Sequence, residues 1–143
     1  MPKTLLVDFD GVLHAHMSEF TDPAVIADGP VSDAIEWLDE MVKAGFTVAI
    51  FSTRSSAPGG VDAMREWLAE HGADPDLFEF PTEKPIAFLS IDDRAWRFEG
   101  TFPTTAELEA FTPWNRRTFG LLPEPPDDEP APPRLKTFRS TGG

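Results

Sequence analysis

The chain has no cysteine, which excludes disulfides and thiolate metal sites and is compatible with a reducing compartment. It also lacks an apolar run long enough to cross a membrane. The few apolar residues after Lys3 are interrupted by Asp8 and Asp10, far short of a signal-peptide core. A soluble, cytoplasmic protein is expected. Positive charge is scarce: 12 Lys and Arg stand against 25 Asp and Glu, a formal net charge of −13. So acidic a chain repels a phosphate backbone, which argues against a general nucleic-acid binder, whereas a small phosphorylated ligand needs only a local positive site. For the surface acids in general, solubility is the plain explanation.

What is present is enough for one core. The 143 residues are 41% hydrophobic, which fits a single domain, expected over residues 1–119. Between Thr112 and Phe119 basic and aromatic residues mix, where contact with a base or a partner competes with packing back on the domain. From Leu122 to Pro133 proline and acidic residues crowd together, and residues 120–143 read as an extended or partly disordered tail.

Along the chain, strands and helices alternate. Residues 3–9 read as a strand and 13–29 as irregular. Ala34, Ile35, Leu38, Met41 and Val42 then follow helical spacing, with Pro30 suited to a first turn and Gly45 to a C-terminal cap. Residues 46–51 form a strand too apolar to have a wet face. Val61, Met64, Trp67 and Leu68 make a second helical stripe that stops at Gly72. An edge strand is predicted at 77–80, a buried one at 86–91, and a short helix from Thr104 or Thr105 through Phe111. This alternation predicts a parallel sheet with helices on both faces, whose ligands sit beyond the carboxyl ends of the strands.

Four polar clusters fall at such ends. The first is Asp8-Phe9-Asp10-Gly11: alternation sends both carboxylates to one side and Phe9 into the core, while Gly11 permits a sharp turn. Two carboxylates so close call for a divalent cation between them or a proton on one of them. The others are Ser52-Thr53-Arg54, Lys84 ahead of Pro85, and Asp92-Asp93-Arg94. Each has a bland reading, as a turn cap, a surface lysine or a solvated loop. Arg54 and Arg94 are divided between substrate contact and surface pairing. His14 and His16 complete no metal site by their spacing and read as loop residues at the edge of a pocket.

D-F-D-G-V, F-S-T-R, E-K-P and I-D-D-R, in this order, resemble the four loop motifs of the haloacid dehalogenase superfamily of phosphatases and phosphotransferases, over about residues 4–100. The resemblance implies a Rossmann-like three-layer α/β/α core. It also implies a magnesium-dependent phosphomonoesterase in which Asp8 is the nucleophile that forms an aspartyl-phosphate. Asp10 would be acid and base, Ser52 and Thr53 would bind the phosphate, and Lys84 would neutralise charge. Magnesium would be held by Asp8, the Asp10 carbonyl and Asp92, with Asp93 one shell further out or bound through water. An aspartate at position 10 favours hydrolysis over transfer.

The stretch from Leu13 to Pro30 is too short for a cap domain. The chain therefore resembles the capless branch, whose open site admits large substrates or is covered by another subunit. A nucleotide or other small phosphorylated metabolite is the expected substrate. The alternatives are a polynucleotide-end phosphatase, which the charge disfavours, and a non-catalytic phosphate-binding scaffold.

Overall fold

A computed structural model of the protein describes residues 2–115; the predicted tail at 120–143 and the end of the basic and aromatic run, 116–119, lie outside the described residues. The chain divides into two compact units, Met1–Asp92 and Asp93–Gly143.

The first unit is α/β. Strand β1 (Thr4–Val7) is followed by helix α1 (Ala34–Lys43), strand β2 (Thr47–Ile50), helix α2 (Gly60–Glu70) and strand β3 (Leu89–Ile91). The three strands pair in parallel in the order β2-β1-β3, with Leu5 opposite Val48 and Leu89, and Val7 opposite Ile50 and Ile91. The chain therefore steps from the central strand out to β2 and returns to the other side of β1 for β3. That reversal is the switch point beside which parallel α/β folds place their ligands.

Both helices end by the same device. At the end of α1 the Gly45 N–H donates to Val42 O and the Phe46 N–H to Met41 O; at the end of α2 the Gly72 N–H donates to Ala69 O and the Ala73 N–H to Leu68 O. Gly45 and Gly72 each take φ of 97°, the left-handed conformation this closure requires, as the sequence predicts for both positions. Helix α1 starts later than Pro30. The Val31 N–H donates to Leu13 O and the Ala15 N–H to Gly29 O, so residues 29–31 are held extended against 13–15 and the helix begins after Asp33.

Alternate residues Leu5, Val7 and Phe9 share one face with Val48 and Ile50, and join one apolar cluster with Leu38 of α1 and Met64, Trp67 and Leu68 of α2. Both helices thus pack on the same face of the sheet. Leu6 and Ala49, which alternation turns the other way, are buried outside that cluster. The helical layer expected on the second face is not among the described elements of this unit.

Two strand predictions change. The 77–80 segment contributes a single parallel bridge, Glu79 to Ala49, after a 3-10 turn at Pro75–Leu77. The 86–91 run is not a buried strand: only Leu89–Ile91 pair, they pair with β1 alone, and Ile86 is 98% exposed. Apolar composition did not supply the second neighbour that would have buried it.

In the second unit, helix α3 (Thr105–Glu109) begins at the predicted place. Thr104 Oγ1 accepts from the Glu107 N–H, and Glu107 accepts in return from the Thr104 N–H. No helix among the described residues is long and apolar enough to cross a membrane.

One glycine fixes the join between β2 and α2. A Cβ on Gly60 would lie 1.9 Å from the backbone oxygen of Arg54. Gly60→Ala is therefore expected to destabilise the fold by at least about 1–3 kcal/mol in urea unfolding, whereas Gly29→Ala, whose Cβ meets nothing within 4 Å, is expected to be far milder.

Candidate active site

The acids at the head of the site are placed by backbone pairing. Asp8 directly follows β1, and its N–H donates to Ile91 O at 2.9 Å, so the residue is registered against the last residue of β3. Asp92 follows β3. Carboxylate oxygens of Asp8 and Asp92 come within 4.8 Å of each other, at the switch point between the two strands. Asp8 is half-buried and Asp92 exposed. Two hard oxygen donors at this spacing suit a small divalent cation. Asp93 and Arg94 follow in the chain and belong to the second unit; Asp93 is half-buried and Arg94 exposed.

Asp10 lies in a tight turn. Gly11 takes φ of 87°, and its N–H donates to His14 O at 2.8 Å, folding the chain so that His14 comes back beside Asp10. Nδ1 of His14 is 2.8 Å from Asp10 Oδ1, and the Asp28 backbone N–H donates to Nε2 at 3.1 Å. A backbone N–H can only donate, so Nε2 is the bare nitrogen and Nδ1 carries the proton given to Asp10. Oxygen and nitrogen atoms of Asp10, His14 and His16 also lie close enough together to hold an ion. The hydrogen bonds occupy both ring nitrogens of His14, so this group is a closed polar network as it stands.

Arg54 completes the network. Its Nε donates to both oxygens of Asp10, at 3.1 and 2.9 Å, and its Nη1 donates to the carbonyls of Pro23 at 2.7 Å and Val25 at 2.9 Å. Phe20 lies over the guanidinium, 5.1 Å from ring centroid to Cζ. The side chain sequence reading divided between substrate contact and surface pairing is thus interior, 2% exposed, and engaged with Asp10 and the loop at 22–25. Further along the same loop, Trp67 Nε1 donates to Asp28 O at 2.9 Å, and Asp28 accepts from the Met17 and Ser18 N–H groups. The segment that precedes α1 is therefore stapled to α2 and to the residues after β2.

Ser52 is buried and caps the 3-10 turn Thr53–Ser56: its hydroxyl accepts from the Arg54 N–H at 3.1 Å, and its own N–H donates to Ser55 Oγ at 3.0 Å. The capping role weighed for Ser52 from sequence is present, and it aims the Arg54 backbone. Thr53 is exposed. Lys84 is exposed in the extended segment ahead of β3 and enters none of the ion pairs of the described residues.

Sequence reasoning placed Asp8, Asp10 and Asp92 at strand ends. It missed His14 and Arg54 as partners of Asp10, and Asp28 and Trp67 as the groups that hold His14's loop. The turn signal Gly11, with His14 four residues beyond Asp10, was the one available clue.

Burial alone would raise the pKa of Asp10. The hydrogen bonds from His14 and Arg54, with the positive charge of Arg54 and of His16, outweigh it and hold the group below its ordinary 3.8. A depressed folded-state pKa stabilises the fold above the unfolded value, and that stability is lost as pH falls through the folded one. Resistance to urea unfolding is thus expected to weaken as pH drops below about 4, and Asp10→Asn should be less stable at neutral pH with a flatter profile across this range.

Comparisons with protein-family models, with curated proteins and with solved structures find no match for this chain.

Proposed function

We propose that this chain is a magnesium-dependent phosphomonoesterase with the chemistry and three-layer core of the haloacid dehalogenase superfamily. Its proposed substrate is a nucleotide or another small phosphorylated metabolite. One observation carries the proposal: Asp8 and Asp92, 84 positions apart in the sequence, bring carboxylates within 4.8 Å at the switch point of a parallel sheet. The pairing of β1 with β3 brings the two carboxylates together, and two hard oxygen donors at that place are what a magnesium-assisted attack on a phosphate ester needs.

Asp8 attacks phosphorus through a carboxylate oxygen, the bond to the leaving oxygen breaks, and an aspartyl-phosphate forms. Asp10, whose carboxyl His14 and Arg54 hold below its ordinary pKa, takes up a proton from solvent once the negative phosphate lies beside it, gives it to the leaving alcohol, and later takes one from the water that hydrolyses the intermediate. The Ser52 hydroxyl accepts from the Arg54 N–H, which leaves its own O–H to donate to a phosphate oxygen. Lys84 swings from its exposed segment to neutralise the transferring group. Asp8, the Asp10 carbonyl and Asp92 would hold magnesium, which when bound would supply the charge neutralisation that one anion needs to approach another.

The test is phosphate release from mononucleotides, sugar phosphates and phosphorylated oligonucleotides, with magnesium or EDTA. Turnover is expected with magnesium only, on small esters above oligonucleotides, and Asp8→Asn is expected to abolish it. Folded protein with magnesium present and no turnover on any ester contradicts the proposal. Oligonucleotide preference that weakens with salt would transfer it to nucleic-acid ends.

A further inference from the structure

Two side chains without a part in the chemistry above, Arg54 and His14, converge on the one carboxylate that it uses twice. Nε of Arg54 reaches both oxygens of Asp10, and Nδ1 of His14 reaches Oδ1. A carboxylate gripped from two directions is not free to rotate, so its remaining lone pairs keep one heading.

Each grip is braced from behind. The Arg54 guanidinium is anchored to the carbonyls of Pro23 and Val25, and its backbone oxygen abuts Gly60 at the start of α2. The His14 ring lies against Phe9 at 5.6 Å and Trp67 at 5.8 Å between centroids, with Nε2 tied to the Asp28 N–H. Exposure is divided unequally: the side chains of Arg54 and His14 are each 2% exposed, and that of Asp10 is 17%. Of these three side chains, the one that solvent reaches is the one assigned to the reaction; His16, whose Nδ1 stands 3.8 Å from Asp10 Oδ1, is 19% exposed as well. A buried pair retained for stability alone is generally replaceable by apolar packing, and it has no need to present one partner outward.

We infer that Arg54 and His14 are positioning residues that aim the Asp10 carboxylate at the water that hydrolyses the aspartyl-phosphate. The inference rests on the phosphatase proposal. In that step the water oxygen bonds to phosphorus, and the bond from phosphorus to the Asp8 oxygen breaks with its electron pair returning to the Asp8 carboxylate. The water proton passes to Asp10 and then to solvent. Loosening Asp10 slows this step. It spares the first step when the leaving group is 4-nitrophenolate, which departs without needing a proton.

The experiment is rapid-mixing release of 4-nitrophenolate from 4-nitrophenyl phosphate with magnesium. It uses the parent, Arg54→Lys, His14→Gln, Asp10→Asn, and each of the first two combined with Asp10→Asn. Arg54→Lys keeps a cation and His14→Gln keeps a donor, and circular dichroism checks that each variant is folded. Both single variants are expected to show a burst near one equivalent per chain, then a steady state slower than the parent by roughly tenfold to a hundredfold. Neither is expected to slow the Asp10→Asn background further. If Arg54→Lys does not fold, His14→Gln decides by the same two readouts.

An unchanged steady state overturns the inference, as does an equal loss of both phases or the same further loss in the Asp10→Asn background; all three leave the phosphatase proposal standing. A folded parent without turnover overturns the proposal, and the inference with it.

Discussion

A guanidinium in the interior constrains most of what surrounds it. Arg54 is 2% exposed, and a charge removed from water costs several kcal/mol unless its surroundings replace the lost hydration. The chain does so with the carboxylate of Asp10 and backbone carbonyls of the loop at 22–25. One side chain therefore ties the turn after β1, the turn after β2 and the long segment before α1. Gly60 belongs to the same constraint, because any side chain there would strike the Arg54 carbonyl and push the guanidinium off its partners. The loop before α1 is held by these hydrogen bonds, and Phe20 lies over the guanidinium.

The sheet contributes a second constraint, and it is a backbone one. With β1 central and β2 and β3 in parallel on either side, all three strands deliver their carboxyl ends to one edge. The hydrogen bond from the Asp8 N–H to Ile91 O sets the register of the two acid-bearing ends without help from side chains. That register holds the carboxylates of Asp8 and Asp92 within 4.8 Å of each other. The same geometry sends Phe9, between the two motif aspartates, into the core, where it is fully buried.

Much of this was legible in the sequence because it depends on local chemistry. Alternation separated Phe9 from Asp8 and Asp10, apolar spacing located Leu38, Met64, Trp67 and Leu68, and the glycines at 45 and 72 marked the helix ends. The burial of Arg54 was not legible. Its principal partner lies 44 residues away, and the carbonyls that receive Nη1 have no residue-type signature. His14 looked like a loop residue because the Gly11 turn and the spacing of four from Asp10 hint at a return without fixing one. The 86–91 run failed for a related reason: hydrophobicity reports a tendency to be covered, and pairing partners decide whether a strand has one neighbour or two. Pro30 suits a helix start, but the pairing of 29–31 with 13–15 outweighs that local preference.

The central claim is that Asp8 carries the phosphoryl group. The most direct measurement is acid quenching of the protein during turnover of a radiolabelled phosphomonoester with magnesium, followed by peptide mapping of the bound label. The account predicts label on the peptide containing Asp8, lost on treatment with hydroxylamine as an acyl phosphate would be, and absent from Asp8→Asn. Turnover with no protein-bound label, or label retained in Asp8→Asn, would contradict it.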